Sequence, residues 1–365
     1  MQFYLENCSK NMHNLIMLKR RAYSFLDDWR RTKKNECLLI KGARQIGKTF
    51  LVRQFGKENY ESFVELNFEK EPELKSAFDG NLDVPNIIKE ISLRKPGIKI
   101  VPHKTLIFFD EIQSCPQART ALKFLAQDDT FDVIATGSLL GINYKEISSI
   151  PVGYERQYEM HSLDFEEFLW AIGVNDEVID ALRKFYDEES PVPAGIHTAM
   201  KRYLNLYIVV GGLPDAVNAF IGTNNLNEVS RVHASILKEY RDDMVKYAPE
   251  KDKPHIRECF NSIPGQLAKE NKKFQYSAVK PGGRGEAFLG SIQWLEDAGI
   301  ICRCYNTDIT TLPLSGNVKD NVFKVYMTDI GLLVEMLGTG VKADILQGNL
   351  GGFKGAIYEN LMADT

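Results

Sequence analysis

The sequence predicts an α/β protein built on a parallel sheet, followed by a helical region and then a region of helix–helix–two-strand order. Three observations carry this. Short, continuously apolar runs such as Thr105-Leu-Ile-Phe-Phe109 alternate with helical stretches, the pattern of a parallel sheet covered on both faces. From about residue 164 the pattern changes to helices. Near Pro254 it changes again, to two helices and two strands, an order that fits a winged helix.

A chain of 365 residues has room for two or three domains, and 44% hydrophobic with 26% charged residues is the balance of an ordinary globular protein. A formal charge of −4 argues against a surface given over wholly to nucleic acid. The start, MQFYLENCSKNMHN, lacks the basic segment, apolar run and cleavage site of a signal peptide, and no apolar stretch approaches the ~20 residues of a membrane span. None of the six cysteines forms a CxxC pair, so reduced structural cysteines and a cytoplasmic location are expected.

Residues 15 to 31 read as an amphipathic helix with Leu18, Ala22, Phe25, Leu26 and Trp29 near helical spacing. Residues 19 to 34 carry seven basic and two acidic side chains, which a solvated helix face explains. Strands are predicted at 37–40, 62–68, 105–109, 131–135 and about 157–163, with a helix from Lys48 through Phe55. Helices follow at 164–172, 177–186, 194–209 and 226–247, with Gly211-Gly212-Leu213-Pro214 as a tight turn among them. The last third reads as helix 254–268, a short stretch at 274–279, helix 284–298 and strands near 300–305 and 322–327.

Residues 42–49 read GARQIGKT, a full match to G-x-x-x-x-G-K-[ST]. Gly42 and Gly47 let the backbone turn back so that the N–H groups of Ala43, Arg44, Gln45 and Ile46 point inward at a phosphate. The helix starting at Lys48 presents its positive dipole end to the same phosphate. Lys48 is placed to reach the β- and γ-phosphates, and the Thr49 hydroxyl to ligate Mg²⁺. ATP and Mg²⁺ are the expected ligands.

Leu106-Ile-Phe-Phe-Asp110-Glu111 puts two carboxylates at the end of a buried strand, where open α/β sheets bind ligands. Asp110 is expected to hold Mg²⁺, usually through water, and Glu111 to polarise the attacking water. A strand intervenes between the phosphate loop and Asp110, which matches P-loop hydrolases and disfavours small-molecule kinases. The next strand ends in Ala135-Thr-Gly-Ser138, so Ser138 or Thr136 is a candidate nucleotide sensor, with a plain strand-to-loop turn as the alternative. Arg156 is the candidate arginine finger, acting in cis or toward a neighbouring subunit.

These residues resemble a family of bacterial and archaeal AAA-like ATPases whose P-loop domain is followed by a domain of unknown function. The likeness rests on GARQIGKT, LIFFDEIQSCP at 106–116, IATGSLLG at 134–141 and LDFEEFL at 163–169, and is extended by GGLP at 211–214 and FKVYMTDIGLL at 323–333. In the family the equivalent of Gly153-Tyr-Glu-Arg156 is commonly a Gly-Arg pair, which displaces the arginine here by two places. Members usually continue past a segment like Gly355-Ala-Ile-Tyr-Glu359 into a restriction-endonuclease-like domain with a later E-x-K. This sequence stops at Thr365, so the resemblance implies no nuclease activity and a last helix with uncovered apolar surface.

The expected organisation is a P-loop AAA-like domain at 1–163, a helical lid region at 164–250, a winged-helix-like domain at 251–340 and the truncated start of a nuclease-like domain at 341–365. The expected function is Mg-dependent ATP hydrolysis by a regulatory or signalling ATPase. The alternative is a nucleotide-gated DNA- or protein-binding switch with negligible turnover. The helix from Arg284 to Ala298 has a net charge of −2, poor for a phosphate-lined groove, although Lys269, Lys272, Lys273, Lys280 and Arg284 leave DNA as a possible partner beside protein. An oligomer is possible, and no membrane association is expected.

Overall fold

The computed structural model describes residues 17–138, 153–269, 273–282, 285–307, 311–312, 314–338, 340–349 and 351–363. They form two compact units. One comprises Arg20–His161 with Asp297–Gly299; the other holds the rest, so the three stretches expected after residue 163 lie in one unit.

The first unit runs α1 (Arg21–Thr32), β1 (Cys37–Lys41), α2 (Lys48–Asn59), β2 (Ser62–Asn67), α3 (Val84–Arg94), β3 (Thr105–Asp110), α4 (Pro116–Asp128), β4 (Asp132–Gly137) and β5 (Glu155–Glu159). The five strands make one parallel sheet in the order β2-β3-β4-β1-β5. Every residue of β3 is buried, as its unbroken apolar run requires when helices cover both faces. α1 starts at Arg21, residues 17–20 lying outside it and 15–16 falling outside the described residues, and its stripe of Ala22, Leu26 and Trp29 is buried at i, i+4, i+7 spacing. Asp83 caps α3 by accepting from the Asn86 N–H, and Pro116 opens α4. Because β4 lies between β1 and β3, the ends of the three strands bearing GARQIGKT, Asp110-Glu111 and Thr136-Gly-Ser138 are adjacent.

The second unit contains α5 (Phe165–Ala171), α6 (Asp176–Asp187), α7 (Ala194–Val210), α8 (Pro214–Thr223), α9 (Leu226–Lys246), α10 (Lys253–Leu267), α11 (Tyr276–Val279) and α12 (Gly285–Asp297). Next come an antiparallel pair, β6 (Ile301–Thr307) and β7 (Val318–Met327), then α13 (Ile330–Leu337), α14 (Val341–Leu346) and α15 (Lys354–Ala363). Sequence periodicity missed α8, which Pro214 opens directly after the glycine turn. α5 begins with a full capping box between Asp164 and Glu167, legible in LDFEEFL.

Three of the motifs outside the phosphate loop meet at one joint. The Leu163 N–H donates to the Gly212 carbonyl at 2.7 Å, and the Tyr207 hydroxyl donates to the Leu163 carbonyl. The Asp329 carboxylate, 3% exposed, accepts from the Gly212 and Leu332 N–H groups at 2.8 and 2.9 Å. Gly211 has φ +74, and a Cβ there would lie 2.6 Å from Asp329 Oδ1. GGLP and TDIGLL are thus matched halves of a structural joint.

The expectation of uncovered apolar surface on the last helix is corrected. Ala356, Ile357 and Leu361 of α15 are buried, while Met362 is exposed. Asn360 is fully buried and exchanges two hydrogen bonds with the backbone of Met327. The Glu359 carboxylate accepts from Lys324 Nζ and from the Tyr326 hydroxyl. No single described helix is long and apolar enough to cross a membrane.

Candidate nucleotide-binding site

The phosphate loop leaves β1 after Lys41 and turns at Gly42, whose φ of +141 favours glycine. A Cβ there would meet the Met160 carbonyl oxygen at 2.1 Å and Ile46 Cδ1 at 2.5 Å, so the loop is packed too tightly for any side chain at this position. Gln45 and Gly47 also have positive φ, at 66 and 93. Gly47 is the N-cap of α2 and brings no side-chain cap, so the first N–H groups of that helix stay available to an anion. The Arg20 guanidinium donates to the Ile46 carbonyl at 3.0 Å and to the His161 carbonyl at 2.6 Å, bracing the loop from outside the motif.

Lys48 is 7% exposed, and its ammonium donates to the loop carbonyls of Gly42 at 2.9 Å and Ala43 at 2.6 Å. Burial pushes this ammonium down to about 8 from 10.5, against the opposing pull of Glu111 and Asp110 and with help from the positive charge of Arg44. A buried cation whose hydrogen bonds go to neutral loop carbonyls, at the start of an uncapped helix, fits an anionic ligand. The Asp110 carboxylate, 2% exposed, accepts from Thr49 Oγ1 at 3.0 Å, from Asn67 Nδ2 at 2.8 Å and from Thr136 Oγ1 at 2.6 Å. Thr49 and Asp110 are oxygen donors of the kind Mg²⁺ takes, so the donor set fits that ion.

Glu111 follows with φ 54 and ψ 49, a left-handed conformation that is strained for a residue with a side chain. Its Oε2 accepts from Gln113 Nε2 at 2.5 Å and from Ser138 Oγ at 3.4 Å, and Ser138 Oγ accepts from Arg44 Nε at 3.3 Å. The two candidate sensors therefore separate by partner: Thr136 holds Asp110, and Ser138 links Arg44 to Glu111.

Arg156 requires a correction. It pairs with Leu38 in the β1–β5 register, whereas Lys41, at the mouth of the phosphate loop, pairs with Glu159. Three residues of strand put Arg156 roughly 10 Å upstream of that mouth. Its guanidinium is engaged there by Glu36 at 2.5 Å and Thr32 at 3.2 Å. A cis finger role does not fit this position.

Sequence reasoning missed Asn67, Gln113 and the bracing role of Arg20. Asn67 ends β2 directly beside Asp110 in the β2–β3 register, and its Oδ1 accepts from the N–H groups of Glu69 and Lys70. A polar residue closing a predicted strand was the available signal, but strand adjacency alone made it meaningful.

The fold and loop geometry define a P-loop protein with an AAA-like strand order. Residues 34–169 match the family model described as an AAA domain, and residues 201–343 match a domain of unknown function (DUF8612). The chain therefore carries an AAA-like P-loop domain followed by a region that matches this domain of unknown function. An uncharacterised protein of Methanocaldococcus jannaschii is 29% identical over 209 residues, covering 57% of this chain and 40% of that protein. The chain thus matches less than half the length of this curated relative. Among solved structures it is similar to the Walker-type ATPase of Pyrococcus abyssi, with a TM-score of 0.51 and 13% identity over 88% of this chain and 96% of that one. It is also similar to the ORC1 protein of Aeropyrum pernix, solved in complex with DNA, with a TM-score of 0.34 and 12% identity over 97% of each chain.

Proposed function

We propose that this protein binds Mg-ATP and hydrolyses it as a regulatory or signalling ATPase, the nucleotide state governing what its second unit engages. The observation that supports this most directly is the meeting of Lys48, Thr49, Asp110 and Glu111 around one loop, with a buried ammonium facing two carboxylates. The loop amides and Lys48 would bind the phosphates. Thr49 and Asp110 would hold Mg²⁺, which when bound neutralises charge on the β- and γ-oxygens. Glu111 would orient a water at the γ-phosphate and accept its proton, with Ser138 fixing the carboxylate.

A second reading, a nucleotide-gated switch with negligible turnover, draws support from the contacts of Glu111, whose Oε2 is already held by Gln113 and Ser138. Phosphate release by wild type and Glu111→Gln, measured beside ATP affinity for both, separates the two. Hydrolysis predicts a loss of about 10²–10⁴ in turnover with affinity kept. Little turnover in either protein would favour the switch.

For the partner we favour a protein surface over a duplex groove. α12 with β6 and β7 has the order of a winged helix, but α12 carries Glu286, Glu296 and Asp297 and no basic residue. Tight duplex DNA binding with a steep salt dependence would reverse this preference.

A further inference from the structure

We propose that Arg44, within the phosphate loop, supplies in cis the cation for the γ-phosphate, and that Glu69 holds it in reserve until a triphosphate is present. This rests on the nucleotide reading above and adds a catalytic residue to it.

Arg44 is one-quarter exposed and lies beside both halves of the hydrolytic machinery. Its Nε donates to Ser138 Oγ at 3.3 Å, and the same hydroxyl donates to Glu111 Oε2. The guanidinium is therefore one hydroxyl away from the carboxylate expected to activate water. Its Nη2 lies 3.7 Å from Glu69 Oε1, a long contact between partly exposed groups of the kind easily exchanged. Glu69 is itself registered to the site, because Asn67 accepts from the Glu69 N–H and donates to Asp110. The Lys48 ammonium binds the Gly42 and Ala43 carbonyls, the latter directly preceding Arg44 in the same loop. Two cations converging on one pocket repel each other until an anion lies between them. A terminal phosphoryl group has three oxygens. Lys48 addresses it as a point charge, and a planar guanidinium adds a directed fork of donors.

Nearby arginines are committed elsewhere: Arg20 to the Ile46 and His161 carbonyls, Arg53 to Glu65, and Arg156 to Glu36. In the hydrolytic step a water oxygen bonds to the γ-phosphorus and the bond from that phosphorus to the β,γ-bridging oxygen breaks. The electron pair leaves on ADP, and the water proton passes to Glu111. Arg44 stabilises the charge on the oxygens around that phosphorus as this happens.

The test compares steady-state ATP turnover and affinities for ATP and for ADP–aluminium fluoride in wild type, Arg44→Ala, Arg44→Lys, Glu69→Gln and Glu111→Gln. Arg44→Ala should lower kcat by about 10²–10³, with ATP affinity within about fivefold and ADP–aluminium fluoride affinity falling in parallel with kcat. Arg44→Lys should recover roughly tenfold of the lost turnover, since it restores charge without the fork. Glu69→Gln should lower KM for ATP several-fold, about threefold or more, with kcat retained, a change that a merely structural arginine would not produce. If Arg44→Ala keeps kcat within about threefold while Glu111→Gln is inactive, the proposal fails and the hydrolase reading stands. A fall in ATP affinity as large as the fall in kcat assigns Arg44 to loop structure and also overturns it. Absence of turnover in wild type removes both.

Discussion

Lys48→Met should stabilise the nucleotide-free first unit at pH 7 while abolishing its affinity for a triphosphate. The fall of the Lys48 ammonium from 10.5 to about 8 corresponds to about 3 kcal/mol, at about 1.4 kcal/mol per pKa unit. Methionine avoids that penalty but gives up two hydrogen bonds to the Gly42 and Ala43 carbonyls, worth about 1 kcal/mol each. The net expectation is a gain of about 1 kcal/mol. The sign with pH follows from linkage. Below about 8 the amine is protonated both folded and unfolded, and the full cost is present. Between about 8 and 10.5 only the unfolded chain keeps the proton, so wild-type stability should rise across that window. The methionine variant should lack this rise. Urea denaturation followed by Trp29 fluorescence in a Trp170→Phe, Trp294→Phe background reports on the first unit, where Trp29 is fully buried. Destabilisation of the nucleotide-free Lys48→Met protein by more than about 1 kcal/mol, or an unchanged rise between pH 8 and 10, would refute the reasoning.

Three further outcomes are expected. Arg156→Ala should leave turnover within about twofold of wild type when assayed on dilute protein, and should cost at most about 1 kcal/mol, as befits a partly exposed ion pair with Glu36. Gly212→Ala would drive a Cβ to 2.0 Å from the Leu163 carbonyl oxygen, so the second unit should lose about 3 kcal/mol or fail to fold, read by circular dichroism during denaturation. In the same unit, burial pushes the Glu335 carboxyl up, but the nearby His233 ring, 3.8 Å away, and the hydrogen bond and charge of Lys342 outweigh it and hold the group at about 2, against an ordinary 4.5. Its contribution is full above about pH 4.5 and is lost as pH falls through about 2; Glu335→Gln should flatten this acid limb of a denaturation series.

How much was legible depended on whether the signal was local. GARQIGKT carries its own turn requirements, and the buried strand before Asp110 announces itself as an apolar run, so loop and strand could be read residue by residue. The capping box at Asp164 was equally local. α8 escaped because its ten residues follow Pro214 too closely to be separated from the glycine turn by periodicity. Residues 17–20 were read into α1 although it begins at Arg21, since apolar spacing continues upstream without marking where the helix begins.

The sequence by itself determined the chemistry of the phosphate loop, because backbone freedom at Gly42 and Gly47 and the charge of Lys48 are properties of residues in order along the chain. Only the tertiary structure decided which side chains share that pocket. Strand order put Thr136 and Asn67 on Asp110 and linked Ser138 to both Arg44 and Glu111, while β1–β5 register carried Arg156 away to Glu36. The physical reason is that hydrogen bonds and ion pairs act over a few ångströms of space. Residues dozens of positions apart in the chain meet only when parallel strands are laid side by side.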